Sequence, residues 1–145
     1  MLPQGLINRI TEIGNAQRVD VAETIRSVTA LIGDDECVSY RVWGGAGFGQ
    51  ENVLVDVYVL GRRAFYCYTV LTTHVQGSCH FLDSIPELAM AQVADERSPY
   101  LLLVFSQREE PTTIFGSSED LKGLEQFRAN IIAQRMRNRE SRNAS

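Results

Sequence analysis

An α+β fold is predicted: a helical amino-terminal segment, seven antiparallel strands closing into a barrel or sandwich, and a carboxy-terminal helix. Three changes of pattern carry this reading. Apolar residues recur at helical spacing through the first third of the chain, at spacing two from Cys37, and at helical spacing again after Glu119. With 145 residues, 44% hydrophobic and 22% charged, the chain has ordinary globular composition and is long enough to bury a real core.

Leu6, Ile7, Ile10 and Ile13 form the first apolar stripe, Gly14 and Asn15 interrupt it, and Val21, Ala22, Ile25, Val28 and Ile32 resume it. Two helices, or one broken helix, follow from that spacing. Asp20 is placed to cap free amides of the second, Glu23 three residues on completes a reciprocal capping arrangement, and Gly33 permits a left-handed exit. Asp34 and Asp35 then carry the chain through solvent.

Val38, Tyr40 and Val42 alternate with Ser39, Arg41 and Trp43 in a first strand, 37–43. Strands 53–60 and 64–72 follow, rich in β-branched and aromatic residues, with Gly61 and Arg62 suited to a tight hairpin whose first central residue needs positive φ. A second turn at Gln76 and Gly77 precedes a strand 78–82. Residues 88–93 supply a fifth strand, or, with Ile85, Leu88, Ala89 and Val93, a short helix from Ser84. Tyr100 to Phe105 is apolar on both faces, as a doubly covered strand requires, and 112–115 is the last strand. The closing helix has Glu119 and Asp120 in its first turn and a stripe of Leu121, Leu124, Phe127 or Arg128, Ile131 and Ile132. The organisation expected is a helical segment 1–33, a β domain with its helix at 34–135, and a disordered basic tail at 136–145.

The chemistry-bearing residues do not converge. Gly44, Gly45, Gly47 and Gly49 lack the dinucleotide spacing, and a valine-rich strand follows them where a phosphate loop needs a helix amino end. They form a flexible connection that could hold Trp43 and Phe48 as an apolar contact point. Cys67, His74, Cys79 and His80 fall within fourteen positions. With the turn at Gln76 and Gly77, however, His74 faces Cys79 on one side of the sheet, His80 lies on the other, and Cys67 is roughly 20 Å away. No metal site or cofactor is expected. A Cys79 and His74 nucleophile pair lacks a group to orient the imidazole, so no catalytic residue is assigned. Arg41 and Asp56 read as a cross-strand ion pair, and Asp34, Asp35 and Glu36, like Glu109 and Glu110, as solvated turns.

The strand order, the phrase His80-Phe81-Leu82-Asp83-Ser84-Ile85-Pro86 and the phrase Ile114-Phe115-Gly116-Ser117-Ser118-Glu119-Asp120 resemble the bacterial pleckstrin-homology-like domains, over roughly three quarters of the chain. The two phrases are similar to that family's fourth-to-fifth strand passage and its entry into the last helix. The resemblance implies a seven-stranded fold with one capping helix and a non-catalytic protein-interaction module. The helical amino-terminal segment lies outside it, left to pack across the sheet or to pair with a second copy as a homodimer. Some members read phosphoinositides with basic residues of the first two strands and their loop. Here the 44–52 loop has Glu51 and neither lysine nor arginine, and the only lysine is Lys122, so phosphoinositide binding is not expected.

A protein partner is therefore expected at a sheet edge or at the glycine-rich 44–52 loop, with Trp43, Phe48, Arg62 and Arg63 as partner-binding residues. If 84–94 is a helix instead, the element order is similar to that of the small acidic dimeric chaperones of type III secretion, and a pI of about 5.2 fits that alternative. The net charge of −4 is unevenly placed: residues 135–145 carry four arginines against one glutamate, leaving an acidic body that repels a phosphate backbone. No nucleic-acid partner is expected. Three cysteines without a C-x-x-C pair, and the absence of any long apolar run, place the protein in the cytoplasm, without membrane span or secretory signal.

Overall fold

A computed structural model describes residues 2–44, 53–82, 100–103, 112–115 and 121–144. Contacts divide the chain into two compact units, Met1–Cys79 and His80–Ser145. In the first, helix α1 (Gln4–Ala16) and helix α2 (Val21–Ile32) precede strands β1 (Cys37–Gly44), β2 (Val53–Gly61) and β3 (Ala64–Leu71), and β4 (Val75–Phe81) begins there and ends in the second, to which His80 and Phe81 belong.

Leu6, Ile10 and Gly14 are the buried residues of α1, one turn apart, so a single stripe faces inward. The glycine does not end the helix. Its Cα instead lies so close to Val21 that an added Cβ would sit 2.8 Å from Val21 Cγ2, and α1 closes two residues later as Arg18 takes positive φ. Asp20 accepts the Glu23 amide at 3.1 Å, as its spacing predicts, and Gly33 exits α2 at φ 63°. The Glu23 carboxylate engages Arg26 at 2.6 Å and Ser27 at 3.4 Å.

The four strands form one antiparallel meander in the order β1-β2-β3-β4. Val42 of β1, Val55, Val57 and Val59 of β2, and Tyr66, Tyr68 and Val70 of β3 share one face by register, and pack on Leu6, Ile10, Val28 and Ile32 of the helices. The apolar faces of α1 and α2 are thus laid on the sheet. The opposite face carries Ser39, Arg41, Trp43, Asp56, Tyr58, Leu60, Phe65, Cys67 and Thr69.

In the second unit, β5 (Tyr100–Leu103) and β6 (Thr112–Phe115) form a separate two-stranded antiparallel sheet. Helix α3 (Leu121–Ala144) buries Leu124, Phe127, Ile131 and Gln134 along one stripe.

The seven-stranded barrel or sandwich is therefore corrected. Among the described residues the α+β molecule has three helices, a four-stranded sheet and a two-stranded sheet. Period-two alternation identifies strands but carries no information about which strands share a sheet, and that is where the expectation failed. Residues 84–94, read as strand or helix, and the 44–52 loop beyond Gly44 lie outside the described residues. Two further differences are local. The turn before β4 falls at Thr72 and Thr73, where the Leu71 amide donates to the His74 carbonyl at 2.8 Å, so Gln76 and Gly77 are strand residues. And α3 runs on to Ala144, through most of the stretch expected to be a disordered tail, because its arginines, Met136 and Glu140 are good helix formers. No helix among the described residues is long and apolar enough to cross a membrane.

Candidate functional site

The loop from α2 to β1 docks on the β2–β3 hairpin through one acid. Asp35, whose side chain is 2% exposed, accepts the amides of Glu36 at 2.8 Å, Arg62 at 3.1 Å and Arg63 at 3.2 Å, and the Tyr66 hydroxyl at 2.8 Å. A carboxylate is the one side chain with enough lone pairs for four donors, and its burial is balanced by them. Gly61 is demanded by this arrangement and not by a left-handed turn: a Cβ there would strike Asp35 Oδ2. Burial first, then the hydrogen bond to Asp35, pushes the Tyr66 phenol above its ordinary range. The outer acids of the same loop hold the hairpin arginines, Arg62 on Glu36 at 3.0 Å and Arg63 on Asp34 at 2.5 Å, and the Arg63 guanidinium hydrogen-bonded to Asp34 holds that carboxyl below its usual range.

On the opposite sheet face Asp56 stands across from Trp43, while Arg41 stands across from Tyr58. The register thus places Arg41 diagonal to Asp56. The carboxylate accepts the Thr69 hydroxyl at 2.7 Å and a hydrogen bond from Tyr58. Burial raises its pKa; the two hydroxyls pull the other way. Tyr58 in turn stacks on Phe65, centroids 6.3 Å apart.

The three cysteines are free thiols. Burial pushes Cys37 up to about 11 and Cys67 up to about 12, and raises Cys79 as well. A thiol held protonated is a poor nucleophile and a poor metal ligand. The Cys79 and His74 juxtaposition is not formed: the turn at Thr72 and Thr73 puts both on the same side of the hairpin, and His74 meets Thr73 at 2.8 Å and Gln76 at 3.0 Å. Cys67 instead lies beside Ser78, which hydrogen-bonds to it. Among the described residues no group of three or more His, Cys, Asp and Glu could hold a metal ion.

The residues singled out from sequence are placed apart. Trp43 is half-buried near the end of β1, Arg62 and Arg63 follow Gly61, and the register sets Trp43 against Asp56 but Cys37 against Gly61. Trp43 and the arginine pair thus mark opposite ends of the β1–β2 ladder, roughly 20 Å apart. Phe48 lies outside the described residues.

The strand expected at 78–82 is β4, and what sequence reading missed is its earlier start at Val75 and its place at the end of the sheet. Among the described residues it is the terminal strand of the sheet, its residues Val75, Gln76, Gly77, Cys79 and Phe81 are exposed, and 56% of the Val75 surface and 63% of the Phe81 surface meet solvent. The Leu71–His74 pair fixes which backbone groups turn outward. In an antiparallel ladder they alternate, so His74, Gln76 and Ser78 address β3, whereas Val75, Gly77 and Cys79 direct amide and carbonyl away from it. Gly77 lies beside Tyr68 and Leu31, which assigns the odd-numbered side chains to the helix-covered face. Val75-Gln-Gly-Ser-Cys-His-Phe81 contains no Lys, Arg, Asp, Glu or Pro, the residues with which edge strands are normally guarded. That neutral run was the available signal.

No protein-family model matches the chain, and no curated protein matches it either.

Proposed function

We propose that this protein is a non-catalytic protein-interaction module that recognises an extended segment of a partner by adding it to the outer edge of β4. The observation that carries the reading is an edge strand of seven residues with exposed apolar side chains and no guarding charge or proline. Such an edge supplies backbone hydrogen bonds for affinity and alternating side-chain positions for specificity. The polar groups described above support it from the other side. Asp35 and Asp56 hold protein donors, burial raises the three thiols above their ordinary range, and the Arg62 and Arg63 charges are met by Glu36 and Asp34. Three free thiols accord with a cytoplasmic location.

The separate β5–β6 sheet followed by α3 favours one second reading, the small acidic secretion chaperone. That reading requires co-purification with a disordered effector segment.

The test is a selection of displayed peptides against the full chain, repeated on Gly77→Pro and Gly77→Ala. Proline deletes an outward amide without touching the ladder to β3, and the atoms nearest a Cβ at this position, on Leu31 at 3.7 Å and Tyr68 at 3.8 Å, lie at ordinary contact distances. Extended peptides with alternating apolar residues should be enriched, and should bind Gly77→Ala like the parent and Gly77→Pro at least ~10-fold more weakly. Enriched peptides that bind Gly77→Pro as well as the parent would contradict the reading.

A further inference from the structure

We infer that the carboxyl-terminal half of α3 is a docking surface for an acidic segment of a partner protein, met by a row of arginines along one side of the helix. This surface is independent of the β4 edge. Arg128, Arg135, Arg139 and Arg142 recur at i, i+7, i+11 and i+14. At 3.6 residues per turn they fall within about 60° of one another around the axis and extend along about 21 Å of it. The two acids of α3, Glu125 and Glu140, lie outside that sector.

Two observations mark the row as a binding surface. Arg128 is half-buried, and its Nε is enclosed with no hydrogen-bond acceptor among the described residues. A donor withdrawn from water is costly to leave unmet, and an oxyanion arriving side-on takes Nε and Nη together. The helix dipole favours arginines in a last turn, but Arg128 stands more than four turns before Ala144. Arg139, further along the row, is exposed and meets no carboxylate among the described residues. Arg135 has a partner of its own, so the inference stands on Arg128 and Arg139. The second observation is length. Past Gln134 no described side chain of α3 is buried, yet the helix runs on for ten residues, about 15 Å, to Ala144.

Charge and shape select the partner. Guanidinium groups pair with carboxylate and phosphate alike, but a nucleic-acid duplex carries one charge per ~1.7 Å and continues past a row of this length. Residues 1–134 carry −7 and repel such a polymer, whereas a protein segment can be acidic only where the row is. A lipid surface asks for apolar residues beside the basic ones, and Met136 is the one exposed large hydrophobic of α3 among the described residues.

The test titrates the full chain into a labelled oligoglutamate peptide and follows fluorescence anisotropy at ~50 mM and ~500 mM salt. Arg137, on the opposite side of the helix from Arg128, supplies a control of equal charge. We expect binding at the lower salt that weakens at the higher. Arg128→Gln should bind at least ~10-fold more weakly and Arg139→Gln at least ~3-fold, with Arg137→Gln within ~2-fold of the parent. Arg128→Lys, which keeps the charge and lacks Nε, should bind at least ~3-fold more weakly than the parent. Far-ultraviolet circular dichroism checks each fold; if an Arg128 variant is unfolded, the comparison of Arg139→Gln with Arg137→Gln decides alone. No binding of oligoglutamate at the lower salt, or equal losses at Arg137 and Arg139, overturns the inference. Tighter binding of a DNA duplex of equal charge, or of phosphatidylserine vesicles, overturns it as well by giving the row to a phosphate surface.

Discussion

Replacing Asp35 with alanine should cost about 3–5 kcal/mol of stability, the largest loss expected from any polar substitution in the helix–sheet unit. The carboxylate is the shared acceptor for three backbone amides and one buried hydroxyl. Removing it strands donors that the fold has already withdrawn from water. Each stranded group costs about 1–3 kcal/mol, less where water can enter behind the missing side chain. Two controls separate this from a loss of surface charge. Tyr66→Phe removes a single donor and should cost about 1 kcal/mol, and Asp34→Ala, which breaks an exposed pair with Arg63, should leave the urea midpoint close to that of the parent. Urea unfolding followed through Trp43, the only tryptophan and a residue of β1, reports on this unit. Asp34→Ala and Asp35→Ala of equal effect would refute the central role given to the buried acid.

Ile10→Ala should be comparably damaging, by about 3 kcal/mol, for an unrelated reason. Ile10 has no exposed surface and lies in the cluster that joins α1 to Val55, Val57, Tyr66 and Tyr68. Truncation loses the transfer energy of three carbons and leaves a cavity between helix and sheet. The neighbouring Arg9 provides the comparison. It pairs with Glu12 at 3.1 Å with about half its side chain exposed, so Arg9→Ala should shift stability by only a few tenths of a kcal/mol. Equal shifts at the two positions would mean that α1 is not packed as described.

The helices and the first three strands were legible because their signals are local. Asp20, Gly33 and the apolar stripes of α1 and α2 act within a turn or two, and the alternation of β2 and β3 needs no knowledge of partners. Gly77 misled because glycine punctuates turns more often than strands, and the Thr72–Thr73 turn has no glycine or proline to announce it. That shift of the turn, from Gln76 and Gly77 back to Thr72 and Thr73, removed the supposed His74 and Cys79 pair and concealed the edge. Asp35 was illegible for another reason. Asp34, Asp35 and Glu36 are nearly interchangeable in a sequence, and only the approach of a hairpin 27 residues later singles out the middle one for burial. Arg62 and Arg63 stood out as a basic pair but serve this same junction, answering Glu36 and Asp34. The sheet assignment, finally, depends on long-range pairing that alternation does not encode.

Amide hydrogen exchange resolved along β4 tests edge recognition most directly. In dilute solution Gln76 and Ser78, bonded to β3, should exchange slowly, while Val75, Gly77 and Cys79 exchange fast; adding a selected peptide should slow the second set alone. Slow exchange of the odd-numbered amides at every dilution would mean that the chain covers its own edge. Fast exchange of them at saturation with a bound partner would place recognition elsewhere on the molecule.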